Sequence, residues 1–218
     1  MRHLNLSLTT WVNKMIILQG IVGSMAYGLN TENSNIDRLG VFINSTASYW
    51  RLTKPKETIV KTSPDIRFHE IEKFLSLCLK CNPTLMELLW LEKYEFGTSW
   101  GNELVYLRDA FLSTRRIITA YAGYASSQIK NGNKDAFKRA KHCLRLIRQG
   151  KELLTTGFLT IRVKNPEEYF ALEKLDAAHI EDKLINELDD FICCKSVLPN
   201  VPDIDRINEF LSDVRSNN

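Results

Sequence analysis

The sequence predicts an α+β fold, a small mixed sheet followed by a helical half. Three observations carry this expectation. Apolar runs of strand length occur up to about residue 95, and 3.6-residue periodicity takes over from Asn102. Between the first such run and a short helix-compatible segment stands a break, Gly23-Ser24. A length of 218 residues suits one large domain or two small ones sharing a core. The expected division is a core over 1–95 and a helical region over 96–218 packed on it.

Met1–Lys14 is expected as a leading helix or strand, with Trp11 and Val12 packing on the domain. Ile16–Val22 is short enough for a buried strand. After Gly23-Ser24 come the helix-compatible Met25–Leu29 and a polar turn, Asn30–Ser34. A second strand is expected from Ile36, with Asp37 just inside its start. Backbone N–H groups around Gly23-Ser24 would then open a helix, where phosphate binds well. Asp37 would stand opposite, where a divalent ion can bridge carboxylate and phosphate.

Asn44–Lys56 is polar and irregular and carries Trp50 and Arg51. Such a pair either covers a nucleotide or, more commonly, packs with a snorkelled charge. Thr58–Lys61 reads as a third strand and Asp65–Phe68 as a fourth, after the Ser63-Pro64 break. Taken alone, Asp65 is a turn or cap residue. From His69, the positions Ile71, Phe74, Leu75, Cys78 and Leu79 form a helical core face. Asn82-Pro83 ends that helix and starts the next, Thr84–Trp90, which carries Glu87 among leucines.

Leu104, Leu107, Ala110 and Phe111 then line one helical face, and Ile117–Ile129 another. Lys130–Lys134 makes a turn, and Asp135–Leu154 a long helix closed near Gly157. On it Lys141, Arg145 and Arg148 share a face, with His142 beside them and Lys138 and Arg139 a turn earlier. A basic face of this kind is usually solvated. Phe158–Val163 is a short strand or a connector, Asn165-Pro166 opens further helices to Cys193, and Ile204–Val214 is the last helix.

Composition is that of an ordinary soluble globular protein, 44% hydrophobic and 25% charged. A net charge of +3 does not by itself identify a nucleic-acid binder. Five cysteines, an odd number, with no secretory leader, argue for reduced thiols in a cytoplasm. Cys193-Cys194 lacks a second pair or nearby histidines, which argues against zinc. No run reaches the length of a membrane span.

The stretch Gly23-Ser24-Met25-Ala26-Tyr27-Gly28-Leu29, followed by Ser34-Asn35-Ile36-Asp37-Arg38-Leu39-Gly40-Val41, resembles the signature of the DNA polymerase beta nucleotidyltransferase superfamily. Its closer resemblance is to the RNA-repair-pathway branch found in bacteria and their phages. That branch reads Gly-Ser-x-Ala-Tyr-Gly-Leu and Ser-Asp-x-Asp-x-x-Gly-Val, so Asn35 stands where the family has an aspartate. Asp65 followed by His69-Glu70-Ile71-Glu72-Lys73-Phe74 matches the family's third acid and the helix after it. Asn82, Pro83, Glu87, Leu88 and Leu89 match a further pattern. Lys141, His142 and Arg148 match another, with Arg145 in place of a second histidine. In order, these matches cover nearly the whole chain.

The resemblance implies a metal-dependent nucleotidyltransferase with Asp37, Asp65 and Asn35 at the catalytic and metal position, holding Mg2+ or Mn2+. It implies nucleoside triphosphate binding, as of ATP, by Gly23, Ser24, Tyr27, Lys141, His142, Arg145 and Arg148. Glu87 reads as a structural acid behind that site. The acceptor is an RNA end or another nucleotide-containing molecule, or a protein hydroxyl. Asn35 brings a carbonyl oxygen without charge. It is read as an engineered inactivation, a natural loss in a protein that only binds nucleotide or RNA, or a site working with fewer acids. The undecayed phosphate loop favours the first. A non-catalytic nucleotide- or RNA-binding protein on the same fold, or an interaction protein keeping only the scaffold, are the rival functions.

Overall fold

The computed structural model describes residues 14–130 and 136–218. The expected leading element, up to residue 13, and the turn at 131–134 lie outside them. The fold is α+β, with a mixed five-stranded sheet of order β3-β4-β2-β1-β5.

Strand β1 (Lys14–Val22) pairs antiparallel with β2 (Asp37–Asn44), and β2 pairs parallel with β4 (Asp65–Glu70). Strand β3 (Thr58–Thr62) forms one edge, and the short β5 (Phe96–Gly97) the other. β2, central in the sheet, is buried from Leu39 onward, with Leu39, Val41 and Ile43 in the hydrophobic core. A register shift between Ile16 and Leu18 makes Ile17 an extra residue in the ladder, so both Ile17 and Leu18 go inside. The Ile17 carbonyl then accepts from Thr98 N–H, beside helix α4 (Ser99–Tyr106). Gly101 permits this approach, since a Cβ there would lie 2.1 Å from the Ile17 oxygen.

Strand boundaries differ from the sequence reading, most consequentially at two places. The second strand starts at Asp37, with Ile36 left outside it and exposed. The helix expected from His69 begins at Ile71, as α2 (Ile71–Leu79). His69 and Glu70 stay in β4 because they pair with Val41 and Phe42 of β2. Glu70 then caps α2 by accepting from Glu72 N–H. Asn82 caps α3 (Pro83–Leu89) and Pro83 occupies its first turn, as the sequence predicts.

Helices α5 (Thr114–Lys130), α6 (Ala136–Thr156), α7 (Pro166–Phe170), α8 (Ala177–Cys193) and α9 (Ile204–Ser216) complete the chain. Leu104, Leu107, Ala110 and Phe111 are all buried, although the last two belong to a separate 3-10 turn. Phe158–Val163 is an irregular connector, held by Thr160 to Gln149 and Glu152 on α6. One hydrophobic cluster runs from Leu18, Leu39 and Val41 of the sheet through Phe74 and Leu88 to Leu146 and Phe191. At the rear of the sheet Arg215 of α9 makes a two-pronged bond to Glu70, at 2.8 and 3.0 Å. All five cysteines are unpaired, and no helix among the described residues is long and apolar enough to cross a membrane.

Candidate active site

Strand β1 ends at Val22, which stands opposite Asp37, the first residue of β2. The chain turns at Gly23, with φ 73° and ψ −154°, a region essentially reserved for glycine. A Cβ here would lie 2.4 Å from Asp37 Oδ2, so only glycine lets the carboxylate rest against this turn. Helix α1 (Ser24–Tyr27) is a single turn with no side chain capping its N-terminus.

The parallel register that pairs Arg38 with Ile66 puts Asp37 and Asp65 side by side, one residue earlier on each strand. Burial, and then the neighbouring Asp65, push the Asp37 carboxyl above its ordinary value. Lys138 on α6 and Arg67 on β4 act in the opposite direction. Asn35 lies exposed two residues before Asp37. Among the described residues no group of three His, Cys, Asp or Glu side chains stands close enough to share a metal ion. With an amide at 35, the acids here are two.

Behind the turn lies a buried polar network. Tyr27 donates to Glu87 Oε2, and Arg145 donates to Glu87 Oε1 at 2.8 Å. Arg145 also donates to Gln149, its other terminal nitrogen meets His142 Nδ1 at 3.0 Å, and its guanidinium lies 3.7 Å over the Tyr27 ring. Glu87 and Arg145 are each 1% exposed. Burial raises the Glu87 carboxyl, while Arg145 and Tyr27 hold it down. Tyr27 and Arg145, expected at the nucleotide, are thus brought together with Glu87 beneath the glycine turn.

The other basic residues of α6 are spread over different partners. Arg148 bonds Glu168 and Glu187, each at 2.8 Å. Lys141 lies over the rings of Phe137 and Phe170, and burial lowers its ammonium. Lys138 is the α6 residue whose charge acts on Asp37. From the sequence it is only extra charge a turn before Lys141. Helical spacing could have marked it, since Lys141 and Arg145 follow it at three and seven residues.

His142 and His69 are both lowered to about 4, chiefly by burial. The unfolded chain therefore binds more protons than the folded one between about pH 4 and 6.5. Stability is complete above about pH 6.5 and falls as the pH drops toward 4. Urea unfolding at pH 7 and at pH 4.5 should show this loss, and His142→Gln should reduce its size. An equal loss in parent and variant would remove His142 as a cause.

The sequence profile of the RNA repair pathway DNA polymerase beta family matches residues 3–214. No curated protein matches the chain. Among solved structures, it is similar to a nucleotidyltransferase-like protein from Exiguobacterium sibiricum 255-15 at 12% identity. That match covers 96% of this chain and 76% of the other, with a TM-score of 0.37.

Proposed function

Because the chain belongs to the RNA repair pathway DNA polymerase beta family, we propose that it is a metal-dependent nucleotidyltransferase that moves a nucleoside monophosphate from a triphosphate to an RNA end. The observation that carries this reading is the adjacency of Asp37 and Asp65 against the Gly23 turn. Two carboxylates, one of them raised by burial and then by the other, form a hard oxygen donor set suited to Mg2+ or Mn2+. Asp37 and Asp65, with the Asn35 carbonyl, would hold the ion. When bound, it would supply positive charge that offsets the triphosphate and the developing pyrophosphate.

The chain's own groups do the rest. N–H groups of the uncapped turn at Gly23 and Ser24 bind phosphate oxygens. Lys138 adds positive charge beside Asp37. Tyr27, Glu87 and Arg145 keep the turn in place from behind, which makes them positioning residues. Lys141, His142 and Arg148 stand on the same helix, each engaged with a partner of its own. The acceptor hydroxyl attacks the α-phosphorus, the bond to pyrophosphate breaks, and the hydroxyl proton leaves to solvent. Asn35 lacks the charge of the acid in the family pattern, so this form turns over poorly. That one residue also favours a second reading, a non-catalytic nucleotide-binding protein on the same fold.

Titration calorimetry with ATP and GTP, with and without Mg2+, tests the reading. The parent should bind a triphosphate in a metal-dependent way, and Lys138→Ala should weaken binding by about fivefold, the worth of roughly 1 kcal/mol. No binding of any triphosphate under either condition would overturn it.

A further inference from the structure

The tip of the segment between β2 and β3 is not packed down as a surface Trp–Arg pair usually is, whereas Thr46 and Tyr49 earlier in it bond Arg215 of α9. Trp50 is 83% exposed and Leu52 fully so, and Arg51 between them is also exposed. Beside them a groove of about 660 Å3 opens along the edge strand β3. Ser45, Ser48, Arg51, Lys56, Thr58 and Val60 line it, and among the described residues its charged lining residues are the two cations.

The groove lies at the end of the sheet where Asn44 closes β2, and β3 runs from it to Thr62, which pairs with Asp65. Strand alternation puts Thr58, Val60 and Thr62 on one face, with Arg67 and Asp65 opposite Val60 and Thr62 on β4. Val60 is 57% exposed and Arg67 is exposed, so this face is open as far as Asp65. Val60 and Thr62 are about 7 Å apart along the strand. A basic track beginning at an exposed indole and ending at the paired acids suits a flexible anionic polymer with flat bases.

We propose that Trp50, Arg51 and the β3 edge form a binding groove for single-stranded RNA, which leads the acceptor end to Asp65. The route to Asp65 rests on the transferase reading; the RNA groove itself does not. Trp50 stacks a base, Arg51 and Lys56 meet backbone phosphates, and the Ser45 and Ser48 hydroxyls suit the 2′-hydroxyl. An exposed aromatic with no acid in the groove beside it is the combination that carries the choice of RNA over a protein partner.

Fluorescence anisotropy of a labelled oligouridylate at fixed salt, without triphosphate or metal, reads this binding directly. Trp50→Ala should weaken it about tenfold and Trp50→Phe only slightly. Arg51→Gln should weaken it severalfold and lower the log–log salt slope by about one. Both side chains are exposed, so these variants should keep the parent's circular dichroism and its ATP affinity. Binding by Trp50→Ala/Arg51→Gln within about twofold of the parent would overturn the proposal, as would equal or tighter binding of oligodeoxythymidylate or duplex RNA. Loop-dependent RNA binding by a protein that binds no ATP would support the groove while overturning the triphosphate reading. ATP binding without oligouridylate binding would do the reverse.

Discussion

Asn35→Asp is expected to raise metal-dependent label transfer from an α-labelled triphosphate by about a thousandfold, the rate equivalent of roughly 4 kcal/mol. The two side chains are nearly isosteric and position 35 is exposed, so the exchange adds charge without repacking anything. Asp37 is already pushed up by burial and then by Asp65, and a third carboxylate beside it adds repulsion. A divalent ion relieves that repulsion, so the variant should also gain thermal stability with added Mg2+ or Mn2+ in proportion to occupancy. Asp37→Ala placed on top of Asn35→Asp should abolish both gains. Equal transfer by parent and variant would mean that Asn35 is no lesion. No transfer by either, over a broad set of RNA acceptors, would move the binding-protein reading ahead.

Arg145→Ala is expected to cost about 3–5 kcal/mol of folding stability, because it leaves the Glu87 carboxylate buried without its cation. Glu87→Ala should cost a similar amount, since Arg145 would keep only Gln149 and His142. The double variant Glu87→Leu/Arg145→Met should recover much of the loss, because two apolar side chains of similar size leave no orphaned charge. Tyr27→Phe, which deletes one hydrogen bond to Glu87, should cost only about 1 kcal/mol. Urea unfolding of the four proteins at pH 7 checks the ordering. Single losses below about 1 kcal/mol would mean that water reaches the pair and that the network does not anchor the glycine turn.

What the sequence revealed and what it hid divide along chain distance. The glycine turn, Asp37, Asp65 and the Asn82-Pro83 helix start are local features, set by backbone freedom, strand alternation and capping within a few residues. The Tyr27–Glu87–Arg145 network joins three distant parts of the chain, so no periodicity reports it. Spacing correctly grouped Lys141, Arg145 and Arg148 on one side of α6, but not what lies across from each. One meets a buried acid, one meets two half-exposed acids, and one meets two aromatic rings. The apolar neighbours of His69 fit a helical face, whereas its ladder to Val41 decides for strand. The exposure of Trp50 could not be read at all, since burial of a loop tryptophan depends on what packs over it.

The extra residue at Ile17 has a consequence for how this chain can vary over evolutionary time. Its carbonyl is committed to Thr98, and Leu18 to Val22 pair residue by residue with β2 down to Asp37. Both ends of that run are pinned, one to α4 and the other to the glycine turn. An inserted or deleted codon between Leu18 and Val22 has no slack to absorb it and would swing Gly23 away from Asp37. The stretch from Ser45 to Lys56 is tied toward its ends, at Thr46 and Tyr49 to α9 and at Lys56 to Asn44, and its exposed tip at 50–53 lies between those ties. Length variation among relatives should therefore collect there and be absent from the first strand, so that the reach of the Trp50 loop can diverge while the acids keep their frame.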